Sequence, residues 1–217
     1  MRRYELLVFD WDGTLIDSAA VIVACMQAAC RDLGLSVPDE ARASHVIGLG
    51  LHDALAYVAP DLPVAEYGRM VERYRHHFLA RDLQIPLFPG TGEMLAELST
   101  RGHVLAIATG KSRAGLVRAL ESTGTARYFA ASRCADQCAP KPAPDMLAEL
   151  MEELGAEPAA TLMIGDTVHD LQMAANAGVA AVAVSHGAHP KENLTAFAPL
   201  ACVDSTLELR QWLQRNA

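Results

Sequence analysis

The chain is short of lysine, of basic charge overall, of long apolar runs and of cysteines that pair. Only Lys111, Lys141 and Lys191 supply ammonium groups, so each is worth placing in the fold. Eighteen Lys and Arg face 26 Asp and Glu, a net charge of −8. That balance argues against a nucleic-acid binder, but a local positive site for a small anion is compatible with an acidic protein. The longest apolar run, Ala19 to Met26, is far too short to span a bilayer. The five cysteines (Cys25, Cys30, Cys134, Cys138 and Cys202) are odd in number and scattered. With no signal peptide in view, they point to a reduced, cytoplasmic protein. Cys134-x3-Cys138 lacks a second ligand pair and does not read as a zinc site. Internal repeats and low-complexity linkers are missing too.

What is present is ample core material. The 217 residues are 51% hydrophobic and 20% charged, which suits one large domain or a domain with a substantial insert. Tyr4 to Phe9 reads as a strand buried on both faces, as in parallel sheets. From Ser18 to about Gln84 the pattern is helical throughout: Ala19–Leu33, Asp39–Ser44, Leu51–Val58 and Val64–Arg81, punctuated by Pro38, Pro60 and Pro63. One βαβ crossover needs a single helix, so this block reads as a helical cap inserted over the sheet. Strand and helix then alternate. Strands are expected at His103–Ala108, Phe129–Ser132, Thr161–Ile164, Ala180–Ser185 and Leu200–Val203. Helices are expected at Thr91–Thr100, Ser112–Gly124, Ala143–Leu154, Val168–Ala177 and Glu208–Arg215. The sum is an α/β fold with a doubly wound parallel sheet. Residues 1–17 and 85–217 form the core and 18–84 the cap.

Chemistry gathers where strands end. The first strand runs into Asp10-Trp11-Asp12-Gly13-Thr14-Leu15-Ile16-Asp17-Ser18. In extended chain, positions i and i+2 share a side, so Asp10 and Asp12 face one small volume at the edge where open α/β sheets bind ligands. Three readings fit: a nucleophile with a proton donor, a site for a hard cation such as Mg²⁺, or a capped turn. A helix–loop–helix calcium loop is excluded, because Gly13 follows too closely and no closing Glu is present. The second strand ends in Thr109-Gly110-Lys111-Ser112, an anion site or a plain N-cap. A nucleotide-binding P-loop fails, because its first glycine falls at Leu105. Lys141 sits between prolines on a stiff loop, where it can neutralise a phosphate or merely be exposed. Asp166 and Asp170 follow the fourth strand, as further carboxylates for Mg²⁺ or as an acidic helix start.

Asp-Trp-Asp-Gly-Thr-Leu-Ile-Asp-Ser resembles motif I of the haloacid dehalogenase superfamily. Thr109-Gly110 resembles motif II, Lys141-Pro-x-Pro motif III, and Gly165-Asp166-Thr-x-x-Asp170 motif IV. The order is the family's, the resemblance covers nearly the whole chain, and its detail is similar to the phosphoglycolate-phosphatase-like branch. The resemblance implies a Mg²⁺-dependent phosphatase of a small phosphorylated metabolite, 2-phosphoglycolate being the first guess. It implies Asp10 as nucleophile, Asp12 as acid and base, and Thr109 and Lys141 on the transferring phosphoryl group. Gly13, Thr14 and Gly110 complete the phosphate site. Asp10, the main-chain carbonyl of Asp12, and Asp166 would hold the metal, with Asp170 in support.

Other readings remain beside it: a sugar phosphomutase, a pyrophosphatase or nucleotidase, or a phosphate-sensing binding module. A dehalogenase is disfavoured by the presence of Asp12, and a phosphonate hydrolase by the absence of a cap lysine. Val46–His52 reads as the cap's substrate-facing loop, with His52 setting preference. His76-His77 and His186-x2-His189 read as surface or packing residues. No nucleic acid or membrane partner is expected, and the chain is expected to be a monomer or homodimer.

Overall fold

The computed structural model describes residues 3–217. Six strands form one parallel sheet: β1 (Leu6–Phe9), β2 (Val104–Thr109), β3 (Ala131–Cys134), β4 (Thr161–Gly165), β5 (Ala180–Val184) and β6 (Cys202–Val203). Their spatial order is β3-β2-β1-β4-β5-β6. The order reverses beside β1, which puts a crevice at the carboxyl ends of β1, β2 and β4. Register aligns those ends, for Phe9 pairs with Ile107 of β2 and with Ile164 of β4.

β1 is central because each of its faces is apolar. Leu7 and Phe9 join one core with Leu105, Ile107, Leu162 and Ile164. Leu6 and Val8 join the opposite core with Ala106, Met146, Leu150 and Met163. Truncating a residue such as Leu7 to alanine costs about 2–5 kcal/mol through lost transfer energy and the cavity left behind. The helices that cover the two faces are α5 (Thr91–Thr100), α6 (Arg113–Thr123), α7 (Asp145–Leu154), α8 (Val168–Asn176), α9 (Lys191–Thr195) and α10 (Thr206–Asn216).

Between β1 and β2 the chain forms α1 (Ala19–Asp32), α2 (Glu40–His45), α3 (Leu51–Val58) and α4 (Tyr67–Leu79). Their apolar faces close on a separate small core that includes Met26, Cys30, Leu55, Val58 and Met70. The stretch expected as one helix over Val64–Arg81 is instead α4 flanked by 3₁₀ turns at Val64–Glu66 and Asp82–Gln84. Pro63 sits just before the first turn and Pro86 just after the second, and helices give way near such residues. The third strand lies two residues later than Phe129–Ser132. It is an edge strand of half-buried Ala, Ser and Arg closed by a buried Cys134, so no apolar run marks it. α9 has five residues and too little periodicity to be expected. The remaining elements stand where the sequence puts them, within about two residues at most ends. No helix among the described residues is long and apolar enough to cross a membrane.

Candidate active site

Four segments converge at the reversal point. Asp10 leaves β1 and Asp12 follows, Thr109 ends β2, Lys141 stands on the loop before α7, and Asp166 and Asp170 bracket the start of α8. All six side chains are buried, with Asp12 the most accessible at 7%.

Lys141 anchors the centre. Its Nζ donates to Asp170 Oδ1 at 2.5 Å and lies 2.9 Å from Asp10 Oδ1. The contact with Asp10 is an ion pair off hydrogen-bond geometry, and neither Asp10 oxygen accepts a hydrogen bond. Burial works against the lysine's charge, but Asp10 and Asp170 outweigh it and hold the ammonium above its ordinary range. Burial also pushes the Asp10 carboxyl up to about 7. Lys141 opposes that rise, and Asp170 adds to it. Asp166 is held well above the usual carboxylate range by burial first, then by Asp10 and Asp170.

Each supporting carboxylate is fixed by local structure. Asp170 completes a capping box at the start of α8, its Oδ2 accepting from the Thr167 N–H at 3.0 Å and the Thr167 hydroxyl at 2.7 Å. The helix cap thus aims Oδ1 at Lys141. Asp166 accepts from the Thr14 hydroxyl and from the Ala188 N–H, each at 2.7 Å. It is wedged between two glycines: a Cβ on Gly13 or on Gly187 would come within 2.2 Å of Asp166 Oδ2. Gly13 also has a φ of +78°, a conformation glycine adopts without strain.

Asp12 is turned to a different set. Its Oδ1 accepts from the Ser18 hydroxyl at 2.7 Å and pairs with Lys111 Nζ at 3.0 Å. Ser18 occupies the N-cap position of α1, yet its side chain caps nothing; the hydroxyl serves Asp12. Lys111 Nζ also lies 4.6 Å from the ring centre of Phe78 on α4, a cation–π contact. Gly110 lets the loop after α2 sit directly on the sheet edge, since a Cβ there would meet the carbonyl oxygens of Gly48 and Leu49 at 2.6 and 2.7 Å.

The sequence-derived residues therefore meet in one place, with two refinements. Thr14 commits its hydroxyl to Asp166, and the Gly13 N–H bonds Ile16 O at 3.0 Å. Gly13 serves by conformation and close approach, not by donating its N–H. Ser18, Lys111, Thr167 and Gly187 were not assigned roles from sequence. Two signals pointed at Lys111: the scarcity of lysine and its place in the Thr109-Gly110-Lys111-Ser112 anion loop.

The donor set suits a divalent cation. Oxygen atoms of Asp10, Asp166 and Asp170 lie within 4.8 Å of one another. Three buried carboxylates face one ammonium, and both Asp10 oxygens lack a hydrogen bond. All-oxygen donors with surplus negative charge match a hard ion such as Mg²⁺.

A second group, His45, His169 and His189, also clusters within 4.8 Å. It gives His189 partners that its sequence neighbourhood does not. Val168 N–H donates to His189 Nδ1 at 3.0 Å, so its Nε2 carries the proton and donates to His45 O at 3.1 Å. His169 Nε2 reaches the same carbonyl at 2.7 Å. The His189 ring presents an N–H there, not a lone pair, and the trio packs α2 against the core. His52, expected to face substrate, has a 70% exposed side chain beside the Tyr67 ring.

The sequence matches the haloacid dehalogenase-like hydrolase family over residues 7–184. It is 38% identical over 210 residues to a Dickeya dadantii protein named "Probable phosphatase IndB", covering 94% of this chain and 91% of that one. It is 33% identical over 191 residues to the phosphoglycolate phosphatase of Agrobacterium fabrum, covering 84% and 81%. A crystal structure of a hydrolase from Pseudomonas syringae superposes with a TM-score of 0.89 over 98% of both chains at 22% identity, a likeness of fold. The chain is thus an enzyme, a phosphatase, and it belongs to the haloacid dehalogenase-like hydrolase family.

Proposed function

We propose that the chain is a Mg²⁺-dependent phosphatase that hydrolyses a small phosphate monoester through an aspartyl-phosphate on Asp10. The observation that carries this reading is the Asp10 carboxylate. It is buried, unbonded by any donor, beside Lys141, and opens on a cavity of about 540 Å³ that Asp12, Thr109 and Gly110 also line.

Asp10 attacks phosphorus, and the bond from phosphorus to the ester oxygen breaks. Asp12 gives its proton to the departing alkoxide, then takes one from the water that attacks the aspartyl-phosphate. Inorganic phosphate leaves and Asp10 is regenerated. Ser18 and Lys111 hold the Asp12 carboxyl for both transfers. The Thr109 hydroxyl and Lys141 take the equatorial phosphoryl oxygens, where negative charge is spread during transfer. Asp10, the main-chain carbonyl of Asp12, and Asp166 would hold Mg²⁺, with Asp170 fixed behind them by Thr167. The ion supplies positive charge against the phosphoryl oxygens. Two-step covalent catalysis suits monoesters, whose uncatalysed hydrolysis needs accelerations up to about 10²¹-fold.

Residues 18–84 act as the cap over this site, and 1–17 with 85–217 as the catalytic core. The name of the Agrobacterium relative makes 2-phosphoglycolate the reference substrate. Acid quench of the Asp12→Asn variant during turnover, followed by peptide mass mapping, tests the chemistry. Phosphate on the peptide that contains Asp10 is expected. A phosphate-free peptide in a protein that releases phosphate would contradict it.

A further inference from the structure

The cavity above the aspartates is two-faced. Its floor is polar: Asp10, Asp12, Thr109 and Lys111. The helical block roofs it with Ile22, Met26, Leu49, Ala54, Tyr74 and Phe78. Three cationic residues line it. Lys111 is already engaged by Asp12 and the face of Phe78. Arg118 is paired with Asp82, and Arg75 is exposed.

We infer that the leaving-group side of this cavity is built for an apolar or aromatic alcohol, so that the preferred substrates are phosphate monoesters carrying a ring or a branched hydrocarbon near the ester oxygen. The inference rests on the phosphatase reading and goes beyond it by naming the substrate class. With phosphorus at Asp10, the atoms beyond the ester oxygen fall among the roof side chains. A carboxylate placed there loses water beside two cations that are already paired, Lys111 with Asp12 and Arg118 with Asp82, with only the exposed Arg75 left to meet it, and such burial is penalised. A ring finds apolar walls that include the stacked Tyr74 and Phe78 side chains. The volume, about 540 Å³, lies in the range of about 300–1,000 Å³ that takes whole drug-sized ligands, and is far larger than a two-carbon acid fills.

Steady-state kinetics with Mg²⁺ on benzyl phosphate, ethyl phosphate and 2-phosphoglycolate tests this, because all three release a primary alcohol. The expected order of kcat/KM is benzyl, ethyl, phosphoglycolate, with at least tenfold between first and last and most of it in KM. Leu49→Lys adds a cation to the roof at a half-buried position. It is expected to narrow the benzyl to phosphoglycolate ratio at least tenfold. Leu49→Ala, which only removes contact area, is expected to narrow it several-fold and serves if the lysine variant does not fold. Equal or better turnover of phosphoglycolate by the wild type, or ratios unmoved in both folded variants, would overturn the inference and leave the phosphatase reading standing. No turnover of any of the three esters would overturn both.

Discussion

Lys111 Nζ lies 3.0 Å from Asp12 Oδ1, and the same ammonium rests on the ring of Phe78 from the helical block. Asp12, the proposed acid and base, is thereby tied, through one lysine, to the wall of the cavity. Lys111→Met keeps the stem and removes the charge. Positioned acid–base groups contribute about 10²–10⁴-fold, and a mispositioned one retains part of that. The variant is expected to lose about 10- to 100-fold in kcat with KM changed far less. A change confined to KM would assign Lys111 to substrate binding alone.

Asp166 is expected to govern metal-linked stability. A ligand that binds only the folded state, at a hundred times its dissociation constant, stabilises by about 2.7 kcal/mol. For a chain of this size that raises the melting temperature by about 5–10 °C. Wild type is expected to show this shift on adding Mg²⁺ and to lose it with chelator, and Asp166→Ala to show none. Gly187→Ala, whose Cβ would overlap Asp166, should weaken the shift as well. Differential scanning fluorimetry reads all of these.

Burial in the histidine trio, helped by neighbouring His169, pushes His189 down to about 4. The unfolded chain then binds a proton near pH 6.5 that the folded chain refuses until about pH 4. Stability from this group is full above pH 6.5 and is lost as pH falls through that window. Asp10, pushed up to about 7, acts in the opposite direction between its ordinary value and 7 in metal-free protein. The difference between variants isolates His189. On going from pH 7 to pH 5, His189→Asn is expected to lose about 2 kcal/mol less stability than wild type, by urea melts at each pH. Equal losses would show that His189 titrates normally.

Much of this fold and site was legible because the central strands are buried on both faces. β1, β2 and β4 carry unbroken apolar runs that end in chemistry-bearing residues, so Asp10, Thr109 and Asp166 marked themselves. Edge strands did not: Ala-Ser-Arg-Cys of β3 needs no apolar run, and its position was read two residues early. The support of Asp12 was hidden differently. Ser18 reads only as the end of the first motif and Lys111 as part of an anion loop, and only the folded chain shows both turned to one carboxylate. The histidine trio was invisible, since His45 lies more than a hundred residues from both His169 and His189. The wall of the cavity showed in outline. Val46–Leu49 and Leu51 of the expected loop line it, but His52 is not among the lining residues, and its side chain is 70% exposed.

The central claim is that Asp10 attacks phosphorus in a Mg²⁺-dependent reaction. The most direct measurement is phosphate release from para-nitrophenyl phosphate, with Mg²⁺ and with chelator, for wild type and Asp10→Asn. Turnover is expected for wild type with Mg²⁺, none with chelator, and none for Asp10→Asn under either condition, although that variant folds. Turnover that survives Asp10→Asn would contradict the claim.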